Sequence, residues 1–179
     1  MNTFLLHIDN LSFAKKGEEL SGQLDLASCP RLSEMLLSQI PHGLKRNSSD
    51  LQPSTISFLL RGELDAQGRS FIRSEINAEL TTYCQRCLES ISLPFKLNFS
   101  YLIAVANVEG GEELSLDDND EFDLQEPDKA MDVAALIEDE LIMALPIAPT
   151  HDFDCAKLTT QAGDKPNPFA ALKDLIKKT

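Results

Sequence analysis

The strongest pattern along the chain is a set of long segments in which apolar and polar positions alternate. From Ser54 to Leu64 the even positions Ile56, Phe58, Leu60 and Leu64 are apolar, while Thr55, Ser57, Arg61 and Glu63 point the other way. A period of two belongs to a strand with one buried face. Asp65, Gln67 and Gly68 make a polar turn, and beyond it Ile72, Ile76, Ala78 and Leu80 alternate with Arg73, Glu75, Asn77, Glu79 and Thr81. Two such runs joined by a short turn predict an antiparallel hairpin. After Cys84 to Glu89 the apolar set moves to odd numbers, Ile91, Leu93, Phe95, Leu97, Phe99, Tyr101, Ile103 and Val105, opposite Ser92, Lys96, Asn98 and Ser100. Three consecutive strands, each with one apolar face, predict an antiparallel meander covered by helices.

Two segments have helical spacing instead. Pro30 can open a helix, with Ser28 or Cys29 before it and Leu32, Met35, Leu36 and Ile40 on one side, until Pro41 and Gly43 stop it. Asp132 or Asp128 can cap a second helix carrying Val133, Leu136, Ile137, Leu141 and Ala144, ended by Pro146. Glu138, Asp139 and Glu140 are spread around its axis, so they are expected on a solvated face rather than converging on a substrate. Thr3 to Asp9 and the alternation Leu20, Gly22, Leu24, Leu26 add two weaker strands, and Leu44 to Gln52 reads as a polar connection. The fold class expected is α+β, a curved or partly closed antiparallel β-meander packed with a few helices.

Charge sharpens this picture only when it is located. The 179 residues hold 29 acids and 16 Lys and Arg, a formal net charge of −13. The stretch from Glu109 to Glu140 contains fourteen of those acids and one base, Lys129, which is the entire excess. The rest of the chain is neutral, unlike a general polyanion binder. We therefore expect a single domain over residues 1–158 with an acidic flexible insert at about 108–129, and a loosely attached tail, 159–179, ending in the amphipathic basic stretch FAALKDLIKK. The insert reads as a solvated loop, or as a dock for a basic partner such as a ribosomal protein or assembly factor. No apolar run approaches the length that spans a bilayer, and the opening MNTFLLHIDNL has neither a basic stretch nor a small-residue cleavage site. A cytoplasmic protein with no membrane partner is expected, with its four cysteines reduced or bound to metal.

Candidate chemistry centres on Cys84-Gln-Arg-Cys87, a C-x2-C at the turn between two strands, where a zinc knuckle places its first ligands. His151-Asp-Phe-Asp-Cys155 supplies a second pair, so Cys84, Cys87, His151 and Cys155 form a Cys3His set suited to a structural Zn. Cys29 is expected to be packing. Dinucleotide, Walker, nucleophile-elbow and H-E-x-x-H motifs are absent, and no small-molecule substrate is evident, so the chain reads as a non-enzyme. Arg61, Arg73, Arg86 and Lys96 lie in the meander and could meet RNA phosphates, with Tyr83 available for stacking; cross-strand pairing with Glu63, Glu75 and Glu79 is the alternative use.

Three blocks carry a resemblance: TTYCQRCLESISLPF at Thr81 to Phe95, IEDELIMALPIAPTHDFDC at Ile137 to Cys155 and KPNPFAALKDL at Lys165 to Leu175. Together with their order and the acidic spacer, they are similar to the YceD family of bacterial large ribosomal RNA subunit accumulation proteins. The resemblance implies a factor supporting synthesis, processing or stability of large-subunit ribosomal RNA, with ribosomal RNA precursor, ribosomal proteins or assembly factors as partners. It implies no established catalytic activity. The other readings are a metal- or thiol-dependent hydrolase acting on RNA, and a module binding a basic ribosomal protein through the acidic insert.

Overall fold

The computed structural model describes residues 6–40, 55–104 and 122–155. Its centre is the meander: β3 (Thr55–Leu64), β4 (Ser70–Tyr83) and β5 (Ser90–Ile103), joined as antiparallel neighbours. Ile56 lies opposite Ala78 and Ile76 opposite Leu97, so the apolar positions fall on one face. β2 (Glu19–Asp25) adds an antiparallel edge to β3, giving the order β2-β3-β4-β5-β6 in an open sheet. The final strand, β6 (Asp123–Gln125), runs parallel to β5 and pairs Tyr101 with Asp123. It belongs to the last part of the acidic segment; positions 108–121 of that insert, the connection at 44–52, Val105 and the tail at 159–179 lie outside the described residues.

Among the described residues three α-helices cover the apolar face. Phe13, Leu32, Leu36, Ile137 and Leu141 pack with Ile56, Leu60, Ile72, Ile76 and Leu80 in one core, all of them buried. α1 (Asn10–Lys16) was not signalled by periodicity, because seven residues carry only Leu11, Phe13 and Ala14 as apolar positions. Its ends are well formed: the Asp9 side chain accepts from Ser12 N at 2.8 Å, and Gly17 ends it in the left-handed conformation at φ 63. Before it, β1 is only His7–Ile8, paired with β7 (Met131–Asp132), and residues 1–5 lie outside the described set. Asn10, fully buried, fastens this junction by donating to Glu126 O and accepting from Asp128 N, both at 2.9 Å.

α2 (Pro30–Ser38) begins at the proline, and α3 (Val133–Ala144) is capped by Asp132, which accepts from Ala134 N at 2.9 Å. The solvated face expected for Glu138, Asp139 and Glu140 is corrected by the structure. Asp139 is exposed, but Glu138 and Glu140 are only 3% and 4% accessible. The physical reason is their spacing: two residues turn a helix by about 200°, so these carboxylates flank the buried Ile137 and Leu141 stripe on opposite sides. Glu140 accepts from the Tyr101 hydroxyl at 2.6 Å, and burial raises its pKa above the usual carboxylate range.

Glu138 does what the start of α2 cannot do for itself. Cys29, the residue before Pro30, offers no side-chain cap, and its buried thiol is pushed up to about 12 by desolvation and then by Glu138. Glu138 Oε1 instead accepts from the buried Leu32 N at 2.9 Å, while Oε2 meets Arg31 Nε at 2.9 Å. Glu138→Ala leaves that amide without an acceptor and should cost about 2 kcal/mol, measured by urea unfolding. A variant within a few tenths of the parent would show that solvent replaces the cap.

Candidate metal centre

The turn between β4 and β5 is folded around its first cysteine. Cys84 N donates to Glu89 O at 2.8 Å, Leu88 N to Cys84 O at 2.9 Å, and Arg86 N to Cys84 Sγ at 3.4 Å. Closing so tight a loop puts Leu88 at φ 64, a left-handed conformation that costs a non-glycine residue roughly 1–2 kcal/mol. The segment after α3 docks on this turn through Gln85 N, which donates to Pro149 O at 2.8 Å. The end of α2 supports the same region: Thr82 Oγ1 donates to Gln39 Oε1 at 2.6 Å.

This docking brings together all four residues singled out by type and spacing. The candidate ligand atoms of Cys84, Cys87, His151 and Cys155 lie within 4.8 Å of one another. Cys84 is buried and the other three are partly accessible. Cys84 Sγ and Cys155 Sγ are 3.6 Å apart, and Cys87 Sγ is 3.4 Å from His151 Nδ1. A tetrahedron with Zn–S of about 2.3 Å and Zn–N of about 2.0 Å places sulfurs about 3.8 Å apart and sulfur and nitrogen about 3.5 Å apart. The Cys84–Cys155 and Cys87–His151 separations match that spacing. Four protein donors on one zinc ion would leave no coordination position for water, as in structural rather than hydrolytic sites.

The surroundings favour the thiolate at Cys84 and Cys155, whereas the Cys87 thiol is raised. Burial alone would raise the Cys84 pKa, but backbone N–H donation from Cys87, Arg86 and His151 outweighs it and holds the thiol at about 5. Cys155 is likewise lowered despite desolvation, through hydrogen bonds with His151, Cys87 and Arg86. His151 is raised, first by its hydrogen bond with Cys155. Its ring also rests against Phe153, with centroids 4.9 Å apart.

The basic residues proposed for RNA are not gathered at one place. Arg61 and Arg73 lie on the open face of the sheet and line a shallow depression with Glu63, Glu75, Asn98 and Ser100. Arg61 pairs with Glu19 at 3.0 Å and Glu75 at 2.7 Å, and Arg73 pairs with Glu63 at 2.6 Å and donates to Ser100 Oγ. The cross-strand alternative thus holds for Glu63 and Glu75, whereas Glu79 accepts from Ser92. Lys96 stands opposite Asn77 and makes no ion pair among the described residues. Tyr83 closes β4 half-buried, and Arg86 is turned toward Cys155, with Nε 3.2 Å from its sulfur. Sequence spacing gave no sign of Arg86's direction, of the left-handed Leu88 or of the Pro149 carbonyl that seats the second ligand pair.

The family model described as large ribosomal RNA subunit accumulation protein YceD matches residues 72–176. A Haemophilus influenzae protein described as large ribosomal RNA subunit accumulation protein YceD is 26% identical over 188 residues, covering 97% of this chain and 96% of that protein. No solved structure matches the chain.

Proposed function

The chain belongs to the YceD family of large ribosomal RNA subunit accumulation proteins, and from that premise we propose that it supports accumulation of large-subunit ribosomal RNA by binding rather than by catalysis. The match covering almost the whole chain carries this reading. Its setting would be the bacterial cytoplasm; among the described residues no helix is long and apolar enough to cross a membrane. Cys84, Cys87, His151 and Cys155 would hold one structural zinc ion. Bound there, zinc supplies a cross-link between the β4–β5 turn and the segment after α3, and no reaction step.

The open face of the sheet is the surface we assign to RNA, through Arg61, Arg73 and Lys96 with Tyr83 at its end. No helix of the described residues packs on it, and the ion pairs of Arg61 and Arg73 are about half exposed. Exposed pairs of this kind are worth only about 0–1 kcal/mol, so phosphate can replace the carboxylates at small cost. In the test, the full chain is used to co-purify precursor ribosomal RNA at several salt concentrations. Arg73→Glu with Lys96→Glu should sharply reduce recovery and lower the salt slope by about one per lost phosphate contact. Loss of recovery on neutralising the acidic insert, with the double variant unaffected, would instead assign the contact to a basic protein partner.

A further inference from the structure

Arg86 lies between the two cysteines of the knuckle, yet its donors are directed across to the other ligand segment. Nε donates to Cys155 Sγ at 3.2 Å, and Nη2 donates to His151 O at 2.7 Å and to Phe153 O at 2.6 Å. Asp154 is a marginal partner, 3.9 Å from Nη1. One side chain therefore grips a ligand atom and the carbonyl of another ligand residue across more than sixty positions of sequence. The five donors of a guanidinium lie in a fixed plane, so three simultaneous contacts define where residues 151–155 sit relative to the turn.

Charge makes the same demand. Three thiolates and a neutral imidazole around a divalent cation leave a net charge of minus one in a partly buried site. A guanidinium hydrogen-bonded to one of the sulfurs brings the total to zero and draws electron density from that thiolate.

We propose that Arg86 is a positioning residue of the metal centre, a clamp that seats His151 and Cys155 and offsets the charge of the Cys3His zinc site, and that it is not part of the RNA-contacting surface. This inference rests on the metal reading above. Its test compares the zinc-loaded full chain with Arg86→Gln and Arg86→Lys, by competition with a chromophoric chelator and by absorption of the cobalt-substituted forms. Wild type should take up one equivalent. Arg86→Gln should hold it about 10- to 100-fold more weakly, the usual effect of removing an outer-shell partner. Arg86→Lys should fall between, because it keeps the charge but cannot span the sulfur and two carbonyls.

The cobalt form supplies a signature that mere loosening of the turn would not. Without the N–H donor on Cys155, sulfur-to-cobalt charge transfer should move to longer wavelength in Arg86→Gln. Affinity and spectrum equal to wild type in both variants would overturn the assignment while leaving the metal reading intact. Should Arg86→Gln fail to fold, Arg86→Lys decides alone: weaker retention supports the clamp and equal retention overturns it. Wild type that takes up neither zinc nor cobalt would remove the metal centre itself, and the clamp with it.

Discussion

Cys84→Ser is expected to abolish stoichiometric zinc and to lower the melting temperature by about 8–16 °C. Cys84 is the buried member of the candidate set, and Arg86 N donates to its sulfur at 3.4 Å, so a serine hydroxyl inherits that donor without the charge a metal would need. An ion bound only by the folded state stabilises it by about 4 kcal/mol when its free concentration is a thousand times the dissociation constant. For a domain of this size each kcal/mol is worth about 2–4 °C. The meander and its helices should persist in the variant, because their core of Ile56, Leu60, Ile76 and Ile137 does not include the knuckle. Circular dichroism should therefore keep its strand signal while residues 149–155 lose protection in hydrogen exchange. Chelator added to wild type should reproduce the effect. Identical melting of wild type, chelated wild type and Cys84→Ser would remove the cross-link from the account.

Gly62→Ala comes second, for a steric reason. A β-carbon on Gly62 would lie 2.3 Å from Phe13 O and 2.8 Å from both Ala14 Cα and Phe13 C. All three are backbone atoms, so no side-chain rotation relieves the collision, and α1 would have to lift from β3. Lifting it exposes Phe13 and Ala14 and strains the 2.8 Å bond from Gly62 N to Glu18 O. Overpacking costs up to about 3 kcal/mol where neighbours cannot yield, against a gain of about 0.4–1 kcal/mol from the stiffer unfolded chain. A net loss of about 2 kcal/mol is expected in urea unfolding. Gly68→Ala is the control: its φ of 78 strains an alanine, but nothing lies within 4 Å of the added carbon. The collision account fails if Gly68→Ala is the more damaging of the two.

Features with short sequence range were legible and features held by distant partners were not. Alternation marked β3, β4 and β5 because each buries one face over ten or fourteen residues. Pro30 and Asp132 marked two helix starts because capping chemistry is local. Cys84, Cys87, His151 and Cys155 could be grouped by residue type, but the 64 positions separating Cys87 from His151 carry no spacing signal, and it is the fold that brings the two pairs together. What escaped was α1, too short to display a period, and β6, three residues in a charged stretch whose partner is β5. The burial of Glu138 and Glu140 escaped because Arg31 and Tyr101 lie 107 and 39 positions away. Arg86 looked like any basic residue of a turn, because the direction of a long side chain is decided by what packs against it.

The cap that Glu138 places on α2 also bears on how the chain is made. Leu32 receives its acceptor from a residue 106 positions later, and Asn10 closes on Asp128 across 118. At bacterial-scale elongation of about 5–20 residues per second, the first helices wait roughly 5 to 20 s for those partners. The hairpins of β3, β4 and β5, by contrast, need only adjacent sequence and can assemble as soon as they emerge. A nascent chain thus presents an apolar sheet face before the helices that shield it are locked. The interval between synthesis of the meander and of α3 is the period in which that face is least covered.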